Sequence, residues 1–278
     1  MIRFAIAVLG LAYLLVTSAQ ARELRVCADP NNLPFSNAQL QGFENKIVEL
    51  LAKELGASLS YVWWPHRRGF IRNTLNTGSC DLIPGIASGI DMLRTTRPYY
   101  RSGYVFVSPA EGPDVKSLDD PLLRSLRVGV QLVGEDGSST PPGHALARRG
   151  IIENVRGYSI YGDYSRQNPG AGIITALESG AIDIALVWGP LAGYLTKKKP
   201  TQFRLRPVRP EIDGPRLPMV FDIAMGVRLE GQALRDEING VLIRLQPQID
   251  AILAEYGVPR LDGAAQRKGA VAARPKLD

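Results

Sequence analysis

The chain of 278 residues is poor in the side chains that carry most metal and nucleophilic chemistry. It holds two histidines, His66 and His144, and two cysteines, Cys27 and Cys80. With so few, a histidine-based metal centre is not expected, and no His-Glu-x-x-His or Cys-x-x-Cys spacing occurs. A Gly-x-Ser-x-Gly elbow and a phosphate-cradling glycine run are also absent, which removes the usual signatures of hydrolases and nucleotide-binding proteins. No block of Lys and Arg dominates any segment, so the excess of 33 basic over 27 acidic residues, +6 in all, does not describe a nucleic-acid binder. Only one long apolar run exists, at the extreme N-terminus, which excludes a polytopic membrane protein. No cofactor and no metal are expected.

That N-terminal run reads as a secretory signal over residues 1–21. Arg3 supplies the positive start, Phe4 to Val16 the apolar core, and Ala19-Gln20-Ala21 the small-x-small cleavage site. Its apolar stretch falls short of the roughly 20 residues a helix needs to span a bilayer. The expected location is the periplasm. There Cys27 and Cys80 meet oxidising conditions, and a disulfide closing a loop of more than 50 residues is expected; the alternatives are two buried free thiols, or one structural and one incidental cysteine.

Beyond the signal, strand and helix patterns alternate. Leu24–Ala28, Ser58–Trp63 and Cys80–Ile83 read as strands, and Ile47, Val48, Leu50, Leu51 and Leu55 give a helical apolar face stopped by Gly56. Tyr104–Val107 is a further strand. A second series has strands at Leu126–Gln131, Val155–Ile160 and Ile182–Val187, with helices around 144–149, 171–179 and 191–198. After a strand at 220–227, apolar positions from Leu234 to Leu245 predict a helix that Pro247 breaks or restarts. The order predicts an α/β protein of two lobes, each a mainly parallel sheet flanked by helices. Lobe 1 is expected over 22–107 plus 221–260 and lobe 2 over 122–207. Connections are expected at 108–121 and 208–220, with a disordered basic tail over 261–278.

A groove between such lobes collects the loops at strand ends, so the candidate binding residues are those that follow strands. Asp29, Asn31 and Phe35 follow the first strand. Trp63, Trp64 and Arg67 follow the second; they could stack on a planar or anionic ligand, anchor a partner, or simply close a packed strand end. Ser88, Arg94 and Tyr99 follow the third, and Glu135 and Trp188 project from the second lobe. Asp222 completes the set. The two histidines, lacking motif partners, read as loop or capping residues.

The blocks LRVCADPNNLPFSN, GFENKIVELLAKELG, GSCDLIPGI, RPYYRSGYVFV and LRVGVQ resemble the family 3 extracellular solute-binding proteins over about Leu24 to Pro259. Within that family, YVWWPHRRGFIRNTL, TTRPYYRSGYVFV, DIALVWGPLAGY, DIAMGVR and AILAEYGVP are similar to the J-type periplasmic accessory proteins of methanol dehydrogenase. The resemblance implies a two-lobed periplasmic binding protein fold and a PQQ-dependent quinoprotein alcohol dehydrogenase as partner. It departs from the amino-acid-binding members where their carboxylate-clamping arginine would lie. The segment Ile86 to Arg94 is shortened there and Asp91 falls near that place, so free amino-acid binding is not expected. The expected role is non-catalytic. The alternatives are a receptor that hands a small polar or planar solute to an ABC permease, and an enzyme using Glu135 or Asp222 as acid.

Overall fold

A computed structural model describes residues 22–133, 138–160 and 168–261. The expected signal at 1–21, Glu135 and tail residues 262–278 lie outside the described residues. Among the described residues no helix is long and apolar enough to cross a membrane.

The chain begins with β1 (Glu23–Ala28), α1 (Phe43–Glu54) and β2 (Ser58–Trp63), then β3 (Ile83–Ala87) and the long β4 (Tyr100–Pro109). It continues through β5 (Val128–Leu132), α2 (Pro141–Arg148), β6 (Val155–Ser159), α3 (Gly172–Glu178), β7 (Ile184–Trp188), α4 (Gly189–Thr196) and β8 (Phe203–Pro207). β9 (Val220–Val227) and α5 (Gln232–Glu255) close it.

The sheets are mixed rather than mainly parallel. β1–β2, β7–β5 and β5–β6 pair in parallel, as crossover helices require. β9 pairs antiparallel with β3, and β4 pairs antiparallel with β7, β8 and β9. The two strands that bring the chain across therefore run against their neighbours.

Among the described residues, four apolar clusters fill the layers. In the first lobe Ile47, Val48 and Leu51 of α1 meet Val241, Leu242 and Leu245 of α5 over β1 and β9. The opposite face carries Cys27, Phe70, Leu75, Cys80 and Ile83. In the second, clusters around Leu123, Val130 and Leu146 and around Ile173, Leu177 and Ala192 cover the two faces of its sheet. Cys27 and Cys80 are joined in a disulfide, with Cα atoms 5.6 Å apart.

Several expectations shift on the structure. Residues 108–121 and 208–220 are not free connections: Val115, Leu118, Val208 and Met219 are buried in the second lobe's core. The chain instead crosses inside β4, whose residues 100–103 pair with β9 and whose residues 104–107 pair with β7. The strand extends to ten residues because Ser102 and Gly103, which interrupt the β-rich pattern, are needed there. A Cβ on Gly103 would lie 2.7 Å from Val220 Cγ1 and 2.8 Å from the Met219 carbonyl, so only glycine lets the two crossing strands touch. Pro247 does not break α5. It sits on the exposed side of the helix, and the carbonyl it leaves unpaired belongs to Ile243, itself 58% exposed, so the lost bond falls on the solvent side. Leu261, placed in the tail, donates its N–H to the Arg101 carbonyl at 3.0 Å.

One ion cluster pins residues 208–220 to the second lobe. Buried Asp213 accepts from Arg149 Nη1 at 2.9 Å and Nη2 at 2.8 Å, and also from Arg148. The Arg149 hydrogen bonds lead the causes that hold its carboxyl below the ordinary carboxylate value. Removing the acid strands a half-buried guanidinium, so Asp213→Ala is expected to lose about 2–4 kcal/mol in urea unfolding at pH 7. A carboxyl with a depressed native pKa stabilises above its unfolded value, near 3.9, and loses that contribution as pH falls through the native one. The gap between wild type and variant should therefore close below about pH 4.

Candidate functional site in the groove between the lobes

A cavity of about 320 Å³ lies between the lobes. Its first wall begins at Asp29, which is buried and accepts from Asn31 N at 2.8 Å and His66 N at 2.6 Å. These bonds tie the loop after β1 to the loop after β2 and set Asn31, Phe35 and His66 on the cavity. Burial pushes the His66 imidazole below its ordinary pKa, so the ring is neutral at pH 7.

α1 brings the acid. Asn45 Oδ1 accepts from Gly42 N at 3.0 Å, closing the helix start and leaving Glu44 at its second position. The Glu44 side chain lies over β3, where a Cβ on Gly85 would sit 1.9 Å from Oε1. Glu44 is 8% exposed, lines the cavity, and has no side-chain hydrogen bond or ion pair among the described residues. Burial drives its pKa from 4.5 up to about 8. That rise corresponds to roughly 5 kcal/mol against the charged form. A helix N-terminus returns at most about 2 kcal/mol, so burial wins.

The opposite wall is aromatic. The Trp188 ring meets Tyr104 edge-on at 5.4 Å and Phe221 at 5.8 Å, and Trp188 N donates to Gln131 Oε1 at 2.6 Å. Tyr100 faces them from the first lobe, packed on Phe43 at 6.1 Å. Asn168 N reaches Asn31 Oδ1 across the groove at 3.4 Å. No Lys or Arg lies among the described residues that line the cavity.

Of the twelve groove residues expected from sequence, Asn31, Phe35 and Trp188 line this cavity. Asp29 stands behind it as a loop clamp. Trp63 stacks on Tyr61 at 4.6 Å against the first core, while Trp64 is 40% exposed beside exposed Arg67, outside the cavity. Ser88 is exposed, its N–H bonded to the Asp222 carbonyl at 2.9 Å. Arg94 Nε donates to the Leu229 carbonyl at 3.0 Å and is not among the residues on the cavity. Tyr99 is buried with its hydroxyl on the Pro84 carbonyl at 2.9 Å, and Asp222 pairs with Arg101 at 3.0 Å. Trp63, Arg94, Tyr99 and Asp222 miss the cavity because each side chain already has a partner elsewhere.

Sequence reasoning missed Glu44, His66, Tyr100, Tyr104 and Phe221. Glu44 imitates an ordinary first-turn acid, and the tyrosines alternate within an apolar strand. The signal that could have found Glu44 is the Gly85 opposite it, a glycine inside a strand pattern marking a close approach. Among the described residues no cluster of three or more His, Cys, Asp or Glu is placed to hold a metal.

No protein-family model matches the chain. It is 32% identical over 255 residues to Protein MoxJ of Methylorubrum extorquens, covering 87% of this chain and 82% of that one. Among solved structures it is similar to periplasmic binding protein XoxJ from Methylobacterium extorquens AM1, at 37% identity and a TM-score of 0.69 over 86% of this chain and 99% of that one. It is also similar to MxaJ from Methlophaga aminisulfidivorans MPT, at 28% identity and a TM-score of 0.75 over 86% of this chain and all of that one. The fold, the groove and the relatives agree: the chain belongs to the MoxJ family of periplasmic binding proteins.

Proposed function

We propose that the chain is a non-catalytic periplasmic accessory protein that assists maturation or activation of a PQQ-dependent methanol or alcohol dehydrogenase. The observation that carries this reading is a groove with aromatic side chains and no Lys or Arg among its described lining residues, in a member of the MoxJ family. Contacts to the enzyme run through the groove and the lobe surfaces. Trp64, exposed beside Arg67 and Arg68, is the side chain best suited to anchor them, since Trp and Arg dominate binding hot spots.

Crosslinking in periplasm followed by mass spectrometry should recover the dehydrogenase, and a deletion strain should show reduced cofactor loading and turnover. Normal loading and turnover in the deletion strain overturn the proposal. Trp64→Ala should weaken the association by about tenfold or more, read by surface plasmon resonance, with an unchanged melting temperature.

The cavity itself favours a second reading, a receptor for an ABC permease. A small molecule that binds only the folded protein raises its melting temperature with a saturable dose dependence, which a metabolite screen would reveal.

A further inference from the structure

We infer that the cavity between the lobes is a site for a small organic monocation, whose ammonium group is taken by the Glu44 carboxylate and whose apolar body lies among the Tyr100, Tyr104, Trp188 and Phe221 rings. The inference deepens the binding role of the groove and rests on that groove admitting a small molecule, not on the dehydrogenase.

Three independent features converge. Glu44 is more than nine-tenths buried, lies on the cavity, and has no side-chain partner among the described residues. A buried carboxylate without a counter-charge is unfavourable in a protein interior, and a ligand cation removes that cost. Gly85 keeps the place above β3 open, since any side chain there would collide with Oε1. Phe35, Tyr100, Tyr104, Trp188 and Phe221 line the same cavity, and the face of an aromatic ring attracts an organic cation more than a neutral or anionic body. With no Lys or Arg among the described lining residues, nothing there offers a carboxylate ligand a charged partner.

Among the described residues, the titratable groups facing Glu44 do not supply the missing charge. They are Tyr61 from β2, His66 from the loop after it, Tyr99 just before β4 and Tyr100 at its start, with Tyr104 across the cavity. Burial raises the phenol pKa values of Tyr61, Tyr99 and Tyr100 and lowers that of the imidazole, so these groups stay neutral around pH 7. The Glu44 proton is then held in the free protein and displaced by the arriving cation.

The test uses three probes of one shape: benzylammonium, benzyl alcohol and benzoate, titrated calorimetrically into the mature protein at pH 8.5. Benzylammonium should bind about tenfold or more tightly than either of the others. At pH 7 its binding should release about one proton, read from the heats in phosphate and imidazole buffers. Glu44→Gln should abolish both the preference and the proton release while keeping benzyl alcohol binding, which shows the cavity intact. Equal affinity for all three probes, no binding of benzylammonium, or a preference that survives Glu44→Gln overturns the inference. If benzyl alcohol alone binds, the groove remains a ligand site and the charge assignment falls; recovery of the dehydrogenase by crosslinking is a separate result.

Discussion

At pH 8.5, Glu44→Gln should melt higher than the wild type by roughly 10 °C, an unusual direction for a substitution at a buried site in the groove. Native Glu44 binds its proton up to about pH 8, whereas the unfolded chain releases it near 4.5. Between those values the folded state holds more protons than the unfolded one, so stability falls as pH rises, then levels off above 8. The full difference is roughly 5 kcal/mol, and each kcal/mol moves the midpoint of a domain this size by about 2–4 °C. Glutamine keeps the shape and cannot ionise. The two proteins should therefore converge near pH 4.5 and separate steadily above it in a series of calorimetric scans. A wild-type melting curve that is flat from pH 5 to 8, or a variant that melts lower at pH 8.5, contradicts the described burial of this carboxyl.

The second large effect concerns Cys27 and Cys80, 53 residues apart in sequence. A crosslink that closes such a loop restricts the unfolded chain by about 4 kcal/mol in the loop-entropy picture. The double variant Cys27→Ala/Cys80→Ala should lose about 3–4 kcal/mol in urea unfolding, with its groove unchanged. The local fold should persist, because Arg25 still grips Asp81 through Nε at 3.0 Å and Nη2 at 2.7 Å, and Cys27 N still reaches the Leu82 carbonyl at 2.8 Å. A double variant as stable as the wild type would mean the unfolded chain is held compact by something other than this bond.

How far these features could be read from the chain depended on whether their cause was local. The α1 face, the alternation of strands and helices and the fitness of two cysteines for pairing all follow from spacing or compartment, and each is visible in a short window. The groove was harder. Trp188 was readable because a bulky residue directly after an apolar strand must point beyond the sheet edge. Trp63 follows the same rule and fails it, since Tyr61, two residues earlier on the same face, offers a flat partner at 4.6 Å. Glu44 was illegible for a different reason. An acid in the first turn of a helix is normally solvated, and only the distant Gly85 makes room for it to turn inward. The crossing point at Gly103 was likewise hidden, because a glycine in a strand looks like an interruption until a second backbone is laid against it.

The two strands that join the lobes are zipped to each other: Tyr104 N donates to the Met219 carbonyl at 2.8 Å, and residues 100–103 pair antiparallel with residues 220–223. Such a ribbon resists sliding and splaying, because either would strip paired amides bare, and yields most readily to torsion about its own axis. Opening of the groove is therefore expected as a screw-like rotation about a short axle at residues 103–104 and 219–220, with the rims of the groove travelling furthest and its floor hardly at all.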